Sequence, residues 1–271
     1  MSAPSPTARP VTIITGASAG IGAALAHVFA RNGHDLLLVA RREQKLCELA
    51  DQIAAAGGRR PHVLALDLTQ PGTTQQIADA LARLALEPQY VVNNAAFGLL
   101  GTAADLDRAE QLAMIDLNVR ALVDLSLAFV DSLSRHRGGI LNVASVAGFL
   151  PGPGMAVYYA SKAFVVSFSE SLHQELAERG IRVTTLCPGP VPTEFQARAG
   201  IKRIPGGALL KVSAEAVAAA GYAGLMDGRR VVVPGFGNKL VMLLPHILPR
   251  GFFLRAVARS QLSEAKRPKG S

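Results

Sequence analysis

The 271-residue sequence predicts an α/β fold, one domain with a doubly wound parallel sheet flanked by helices. Three observations lead there. Short β-branched runs alternate with longer Ala- and Leu-rich stretches, the βαβ rhythm of parallel strands joined by right-handed crossovers. The strand-like runs are apolar on successive residues, so both faces of each strand must be buried. Apolar residues make up 49%, charged residues 18% and aromatics 5%, and Trp is absent, a composition suited to tight Val, Leu and Ala packing and not to a disordered chain.

Seven runs read as strands: Val11–Thr15, Leu36–Ala40, Val63–Leu66, Tyr90–Asn93, Ile140–Ala144, Ile181–Leu186 and Arg230–Val233. Helical stretches lie between them near 20–32, 43–57, 73–86, 104–135, 156–179 and 213–226. The reading is a flexible tail over 1–10, a nucleotide-binding catalytic domain over 11–233, and an apolar and basic extension over 234–271. Residues 189–212, with Pro190, Pro192 and Pro205, form a longer connection than structure alone requires, which marks a functional loop.

The first strand leads into Thr15-Gly16-Ala17-Ser18-Ala19-Gly20-Ile21-Gly22, which opens a helix. In that setting Gly16 allows a sharp turn, Gly20 allows backbone to approach a pyrophosphate, and Gly22 allows helix and sheet to pack closely. The helix N-terminus offers free N–H groups to phosphates. The second strand ends in Ala40-Arg41-Arg42, with no acid before Glu43. A carboxylate there would bind a ribose 2′-hydroxyl, whereas arginine attracts a 2′-phosphate, so NADP(H) is preferred and NAD(H) is left open. Asp67 and Leu68, ending the third strand, fall where an adenine edge would lie.

Tyr158 and Lys162 stand one helical turn apart on one face. A phenol ionises near 10, and a neighbouring ammonium lowers that value, giving the spacing a chemical purpose in proton transfer. Taken alone the pair is common on exposed helix faces. Ser145, thirteen residues earlier, ends the fifth strand at the carboxyl edge of the sheet, where it could hold the substrate oxygen that Tyr158 protonates. Asn118 is an amide inside the stretch 104–135, either a helix-kink residue or the holder of a proton-relay water.

These motifs, in order and spacing, resemble the short-chain dehydrogenase/reductase family in its compact single-domain form. The likeness covers about residues 10–233 and extends to Asn93-Asn94-Ala95, Pro188-Gly189 and Thr193. It implies a Rossmann-type, seven-stranded doubly wound parallel sheet. Tyr158 would be the general acid/base, with Lys162 lowering its pKa and binding the nicotinamide ribose. Ser145 would orient the substrate carbonyl and Asn118 would hold the relay water. Asn94, with Ala95 and Ala96, would border the cofactor ribose, while Val191 and Thr193 would contact the nicotinamide amide. Position 40, acidic in NAD-selecting members, is Ala40, and Arg41 follows it as in NADP-preferring ones. Two departures stand out: Ala96 replaces the glycine of the usual NNAG, and Ala19 replaces a basic residue that some NADP enzymes carry, leaving the phosphate to Arg41, Arg42 and Ser18.

The net charge of +8 does not imply nucleic acid, because Arg250–Ser271 alone contributes six basic residues against Glu264. Cys47 and Cys187 have no metal-ligand neighbours at usable spacing, so no metal is expected. Reduced thiols and the absence of a secretory signal in residues 1–10 point to the cytoplasm. Phe97, Phe149, Leu150, Met155, Phe195, Ile201, Ile204, Leu209 and Leu210 suggest an apolar pocket, hence an apolar ketone, aldehyde or secondary alcohol. The extension from Phe236 has no uncharged run long enough to cross a bilayer. It could touch a membrane surface, but packing over its own active site or on a sister subunit is favoured. The family resemblance implies a homodimer or homotetramer through the helices at 104–135 and 156–179. A non-catalytic dinucleotide-binding sensor or scaffold is the alternative function, which the four intact reacting residues disfavour.

Overall fold

Neighbouring residues of each strand part company in the computed structural model, which describes residues 8–201, 210–247 and 250–265. Ile14, Leu38, Val92 and Leu141 enter one core, while Ile13, Leu37, Val91 and Ile140 enter a second core on the opposite face. Side chains of a strand alternate between faces, so only a sheet covered on both sides buries every residue of such runs.

The strands are β1 (Arg9–Thr15), β2 (Leu36–Ala40), β3 (His62–Ala65), β4 (Leu86–Asn93), β5 (Gly139–Val143), β6 (Arg182–Leu186) and β7 (Val231–Val232). They form one seven-stranded sheet in the order β3-β2-β1-β4-β5-β6-β7, every pair parallel. The first core is covered by α1 (Gly20–Arg31), α2 (Glu43–Ala55) and a later helix, Ala214–Met226. The second lies under α3 (Thr73–Arg83), the helical segments between Arg108 and Arg135, and the long helix Ala156–Glu175. Strand order reverses between β1 and β4, which opens a crevice at the carboxyl edge of the sheet.

The single helix expected over 104–135 is segmented. Asp107 accepts from the Glu110 amide at 2.8 Å and starts α4 (Arg108–Ile115). A π turn, Asp116–Ala121, separates it from α5 (Leu122–Ala128), and α6 (Val130–Arg135) follows after Phe129 leaves helical geometry. Hydrophobic period alone cannot register such a turn, because one inserted residue shifts the apolar face without removing it. The third helix stops at Arg83, and strand pairing resumes at Leu86 instead of Tyr90, with Ala85 at φ 52 making the reversal.

A buried polar chain threads the second core. Asn93 of β4 donates to Ser126 and to Asn142 of β5, each at 2.9 Å, and Asn142 donates to Ser169 at 2.9 Å. Ser126 and Ser169 return their protons to Leu122 O and Val165 O. Helix α5, two central strands and the helix Ala156–Glu175, hereafter α7, are thus stitched together.

Past α7, the loop predicted over 189–212 contains α8 (Glu194–Ala199), started by Thr193 in a reciprocal cap with Gln196. Ile204 and Leu209 lie outside the described residues, as do residues 1–7 and 266–271. After α9 (Ala214–Met226), the extension forms α10 (Phe236–Ile247) and α11 (Arg250–Ala265), Pro245 falling within the last turn of α10.

Candidate active site

The crevice contains a cleft of about 560 Å³ lined from both sides of the strand reversal. At one end is the glycine turn. Gly16 has φ +64 and Gly20 φ +56, conformations that favour glycine. A Cβ on Gly16 would stand 2.8 Å from Ala95 Cα, and one on Gly22 would collide with the carbonyl oxygen of Gly16. Ala19 precedes α1 in extended geometry and supplies no side-chain cap, so the first amides of that helix face the cleft without an internal partner. Ser18, Ala19, Gly20 and Ile21 line this end. The cradle fits a pyrophosphate: backbone donors converge on a space that side chains would fill.

The facing wall is braced from β1 and β4. Thr15 Oγ1 donates to Val92 O and accepts from the amides of Asn94 and Ala95 at 3.0 and 3.1 Å. Asn94 Nδ2 donates to Thr15 O at 2.9 Å, tying the end of β4 to the glycine turn, with Ala95 and Ala96 beside it on the lining. Gly98 keeps a tight contact, its Cβ position lying 3.0 Å from Phe195.

Beyond the cradle, Ala40, Arg41, Arg42, Asp67 and Leu68 gather as the sequence implied. Arg42 donates to Ser18 Oγ at 3.1 Å and pairs with Glu194 of α8 at 2.8 Å. Asp67 is turned toward its own strand end, accepting from Thr69 N and Oγ1 at 3.1 and 2.9 Å. Two residues here escaped the sequence reading. Arg198, also on α8, holds its guanidinium 4.2 Å over the Phe97 ring, and burial followed by Arg41 depresses its pKa. Glu194 bridges the loop to Arg42. No local signal marks either one, because both reach the second strand only through the fold.

At the other end stand the predicted reacting groups. Ser145 follows β5 and starts the 3₁₀ turn Val146–Phe149, its Oγ accepting from Ala147 N at 3.1 Å and donating to Pro188 O at 3.4 Å. Pro188 O also accepts from Val146 N at 3.0 Å, so the Pro188-Gly189 turn and the Ser145 turn hold each other. Gly189 has no room for a side chain because Asn238 of α10 rests on it. Val191 is buried, and Thr193 packs against Gly20.

Tyr158 and Lys162 lie in the first turns of α7, with the ammonium 6.0 Å from the phenol ring centre. Lys162 is 3% exposed and donates to Val143 O at 2.7 Å. Burial lowers its pKa to about 8. Burial raises the Tyr158 phenol, with the Ser145 hydroxyl acting against that rise. Burial thus works on Tyr158 in the opposite sense to the lowering that a neighbouring ammonium would produce.

Asn118 is in the π turn, 1% exposed, with its amide fully engaged. Oδ1 accepts from Phe97 N at 3.1 Å, and Nδ2 donates to Phe97 O at 2.9 Å and Ser161 Oγ at 3.1 Å. It clamps the irregular segment that follows β4 to α7. Phe97, Leu150, Met155, Phe195 and Ile201 line the space in front of Tyr158, whose ring lies 5.3 Å from that of Phe195. Phe149 packs instead against a small third core, and Leu210 is not part of the lining. Among the described residues no cluster of metal-ligating side chains occurs.

A family model described as short chain dehydrogenase matches residues 10–203. Sulfoacetaldehyde reductase 2 of Chromohalobacter salexigens is 39% identical over 188 residues, which are 68% of this chain and 74% of that protein. Among solved structures, a short-chain dehydrogenase from Sphingobium yanoikuyae in complex with NADPH is 31% identical, with a TM-score of 0.76, and covers 97% of this chain and 98% of its own. The bulky-bulky ketone specific alcohol dehydrogenase from Comamonas testosteroni is 27% identical with a TM-score of 0.72, covering 97% of each chain.

Proposed function

The chain belongs to the short-chain dehydrogenase/reductase family, and from that membership we propose that it moves a hydride between NADP(H) and an apolar ketone, aldehyde or secondary alcohol. The carrying observation is that Ser145, Tyr158 and Lys162 share one cleft with the glycine cradle and Arg41 and Arg42. The bound dinucleotide would supply the hydride, or accept it in the reverse direction.

The chain's own task is to place one oxygen and move one proton. Ser145, fixed by Pro188 O and Ala147 N, presents its hydroxyl to the substrate oxygen. Tyr158 gives its proton to that oxygen as negative charge develops there. The raised phenol suits this direction, since Tyr158 stays protonated at neutral pH. Lys162, with a pKa of about 8, is still mostly charged at pH 7 and stabilises the phenolate left behind. Its ammonium and the Tyr158 hydroxyl would also hold the nicotinamide ribose. Because the Asn118 amide is consumed by Phe97 and Ser161, a relay water would have to be held by the main chain of its π turn and not by the side chain.

Arg41 and Arg42 support a preference for NADP(H), and Ala40 removes the carboxylate that would favour NAD(H). Phe97, Leu150, Met155 and Phe195 in front of Tyr158 support an apolar substrate. A homo-oligomer is supported by Leu112, Ile115, Leu127 and Phe164, apolar side chains exposed on α4, α5 and α7. No described helix is long and apolar enough to cross a membrane.

The test is NADPH oxidation over a panel of ketones and aldehydes, beside Tyr158→Phe. Turnover by the parent protein that falls at least about 100-fold in the variant, with NADPH affinity retained, is the expected result. NADPH binding without turnover on any carbonyl would favour a dinucleotide sensor.

A further inference from the structure

Most of the cleft wall is accounted for by the residues above, but among the described residues one lining side chain comes from the C-terminal extension. Gln261 of α11 donates from Nε2 to Tyr159 Oη at 2.6 Å. The same helix lies against the loop ahead of α7, where a Cβ on Gly154 would stand 3.3 Å from Gln261 Cβ. Gly154, at φ +89, lets that loop turn beneath the helix. The extension is thus folded over the cleft, beyond residues 10–203 of the family match.

The other end of the amide is the telling part. Gln261 Oε1 is buried and accepts no hydrogen bond, one of five such side-chain atoms among the described residues. A buried amide oxygen without a donor is costly, and native proteins rarely keep one unless something else completes it. This one belongs to a residue lining the cleft, beside Tyr159 and close to the reacting phenol: the Tyr158 and Tyr159 rings lie 6.1 Å apart. Apolar groups dominate the pocket in front of Tyr158, so an unpaired acceptor at its rim selects strongly.

We propose that Gln261 is a substrate-specificity residue whose amide oxygen accepts a hydrogen bond from a hydroxyl on the substrate, the preferred substrate being a largely apolar carbonyl compound with a hydroxyl remote from the reacting carbon. Tyr159 tethers the amide through Nε2, and Oε1, covered while no substrate is bound, meets the ligand's hydroxyl when the side chain turns about that tether. The inference rests on the oxidoreductase reading above and adds the chemical class of its substrate.

The experiment compares straight-chain methyl ketones with a hydroxyl at successive carbons, the methyl ether of each, and the parent ketones, by kcat/KM with NADPH. For the full-length protein, one hydroxylated series member should exceed both its ether and its parent by about 10- to 100-fold. The ether keeps an acceptor but has no donor, so it separates the amide oxygen from the amide N–H as the reading group. In Gln261→Met the hydroxyl-to-parent ratio should collapse toward unity, while Gln261→Glu, which still accepts, should keep it. Comparing ratios within one preparation removes any difference in folded fraction. A ratio unchanged in Gln261→Met, or a preference for the ether, overturns the assignment of Gln261 but leaves the oxidoreductase reading intact. Absence of turnover with every carbonyl overturns both.

Discussion

Replacing Lys162 with Met should stabilise the cofactor-free protein at neutral pH while removing its catalysis. The ammonium is 3% exposed, and its pKa drops from the usual 10.5 to about 8 through burial. At 1.36 kcal/mol per pKa unit, keeping that charge in the folded protein at pH 7 costs about 3 kcal/mol. Met fills much the same volume without a charge, but it abandons the hydrogen bond to Val143 O, at a cost of about 1–2 kcal/mol. The net gain is about 1–2 kcal/mol, a rise of roughly 2–8 °C in melting temperature for a domain of this size. Folded Lys162 gives up its proton before the unfolded residue does. Wild-type stability relative to the variant therefore climbs as pH rises from about 8 toward 10.5, and the variant's advantage should shrink and then reverse. Urea unfolding of both proteins at pH 7 and pH 9.5 measures this. A variant that is less stable than wild type by the same margin at both pH values would refute the reasoning, because the buried charge would then carry no cost.

Other outcomes follow from the same geometry. The kcat/KM for NADPH in carbonyl reduction, which reports groups of the free enzyme, should be flat at neutral pH and fall above about 8 as Lys162 loses its charge, a pH–rate profile being the check. Arg42→Leu should weaken NADPH binding about 10-fold or more in a fluorescence titration and NADH binding much less, since only NADPH carries the 2′-phosphate; equal losses for both would remove Arg42 from cofactor selection. Gly22→Ala forces a methyl onto the Gly16 carbonyl and should cost about 1–3 kcal/mol in unfolding free energy together with dinucleotide affinity; an unperturbed variant would mean the cradle is looser than its contacts indicate. Phe164→Glu should shift the protein to smaller species in light scattering if the exposed apolar side chains of α7 form a subunit contact.

The parallel sheet was legible because each strand announces itself twice, through Val and Leu on both faces and through the turn that follows it. The glycine cradle was legible for the same reason: Gly16 and Gly20 need positive φ, and few other residues tolerate it. Less visible were features that depend on chain segments far apart. Arg198 meets Phe97, and Glu194 meets Arg42, only after a loop from the sixth strand folds back across the cleft. Gln261 meets Tyr159 across 102 residues, through a helix of mixed composition; packing of the extension over the active site or on a sister subunit was the favoured expectation, but nothing local singled out Gln261 as the residue in contact. The π turn at Asn118 was hidden for a different reason, since its extra residue leaves the apolar pattern on either side undisturbed. The desolvation that acts on Tyr158 was not legible either, because spacing reports charge neighbours but not burial.

The hydrogen-bonded line from Ser126 through Asn93 and Asn142 to Ser169 fixes where α7 sits along its own axis. Purely oily surfaces slide past one another at little cost, and a slip of one residue along α7 would swing Tyr158 by about 100°. The polar line forbids that slip, because moving Ser169 out of register would strand Asn142 in a water-free interior. It acts as a detent: α7 has one seat on the sheet. Apolar replacements at all four positions could hold the layers together equally well, yet they would give α7 several seats of similar depth. Aim, more than cohesion, is what these four side chains contribute, and the phenol of Tyr158, eleven residues before Ser169 on the same helix, is what they aim.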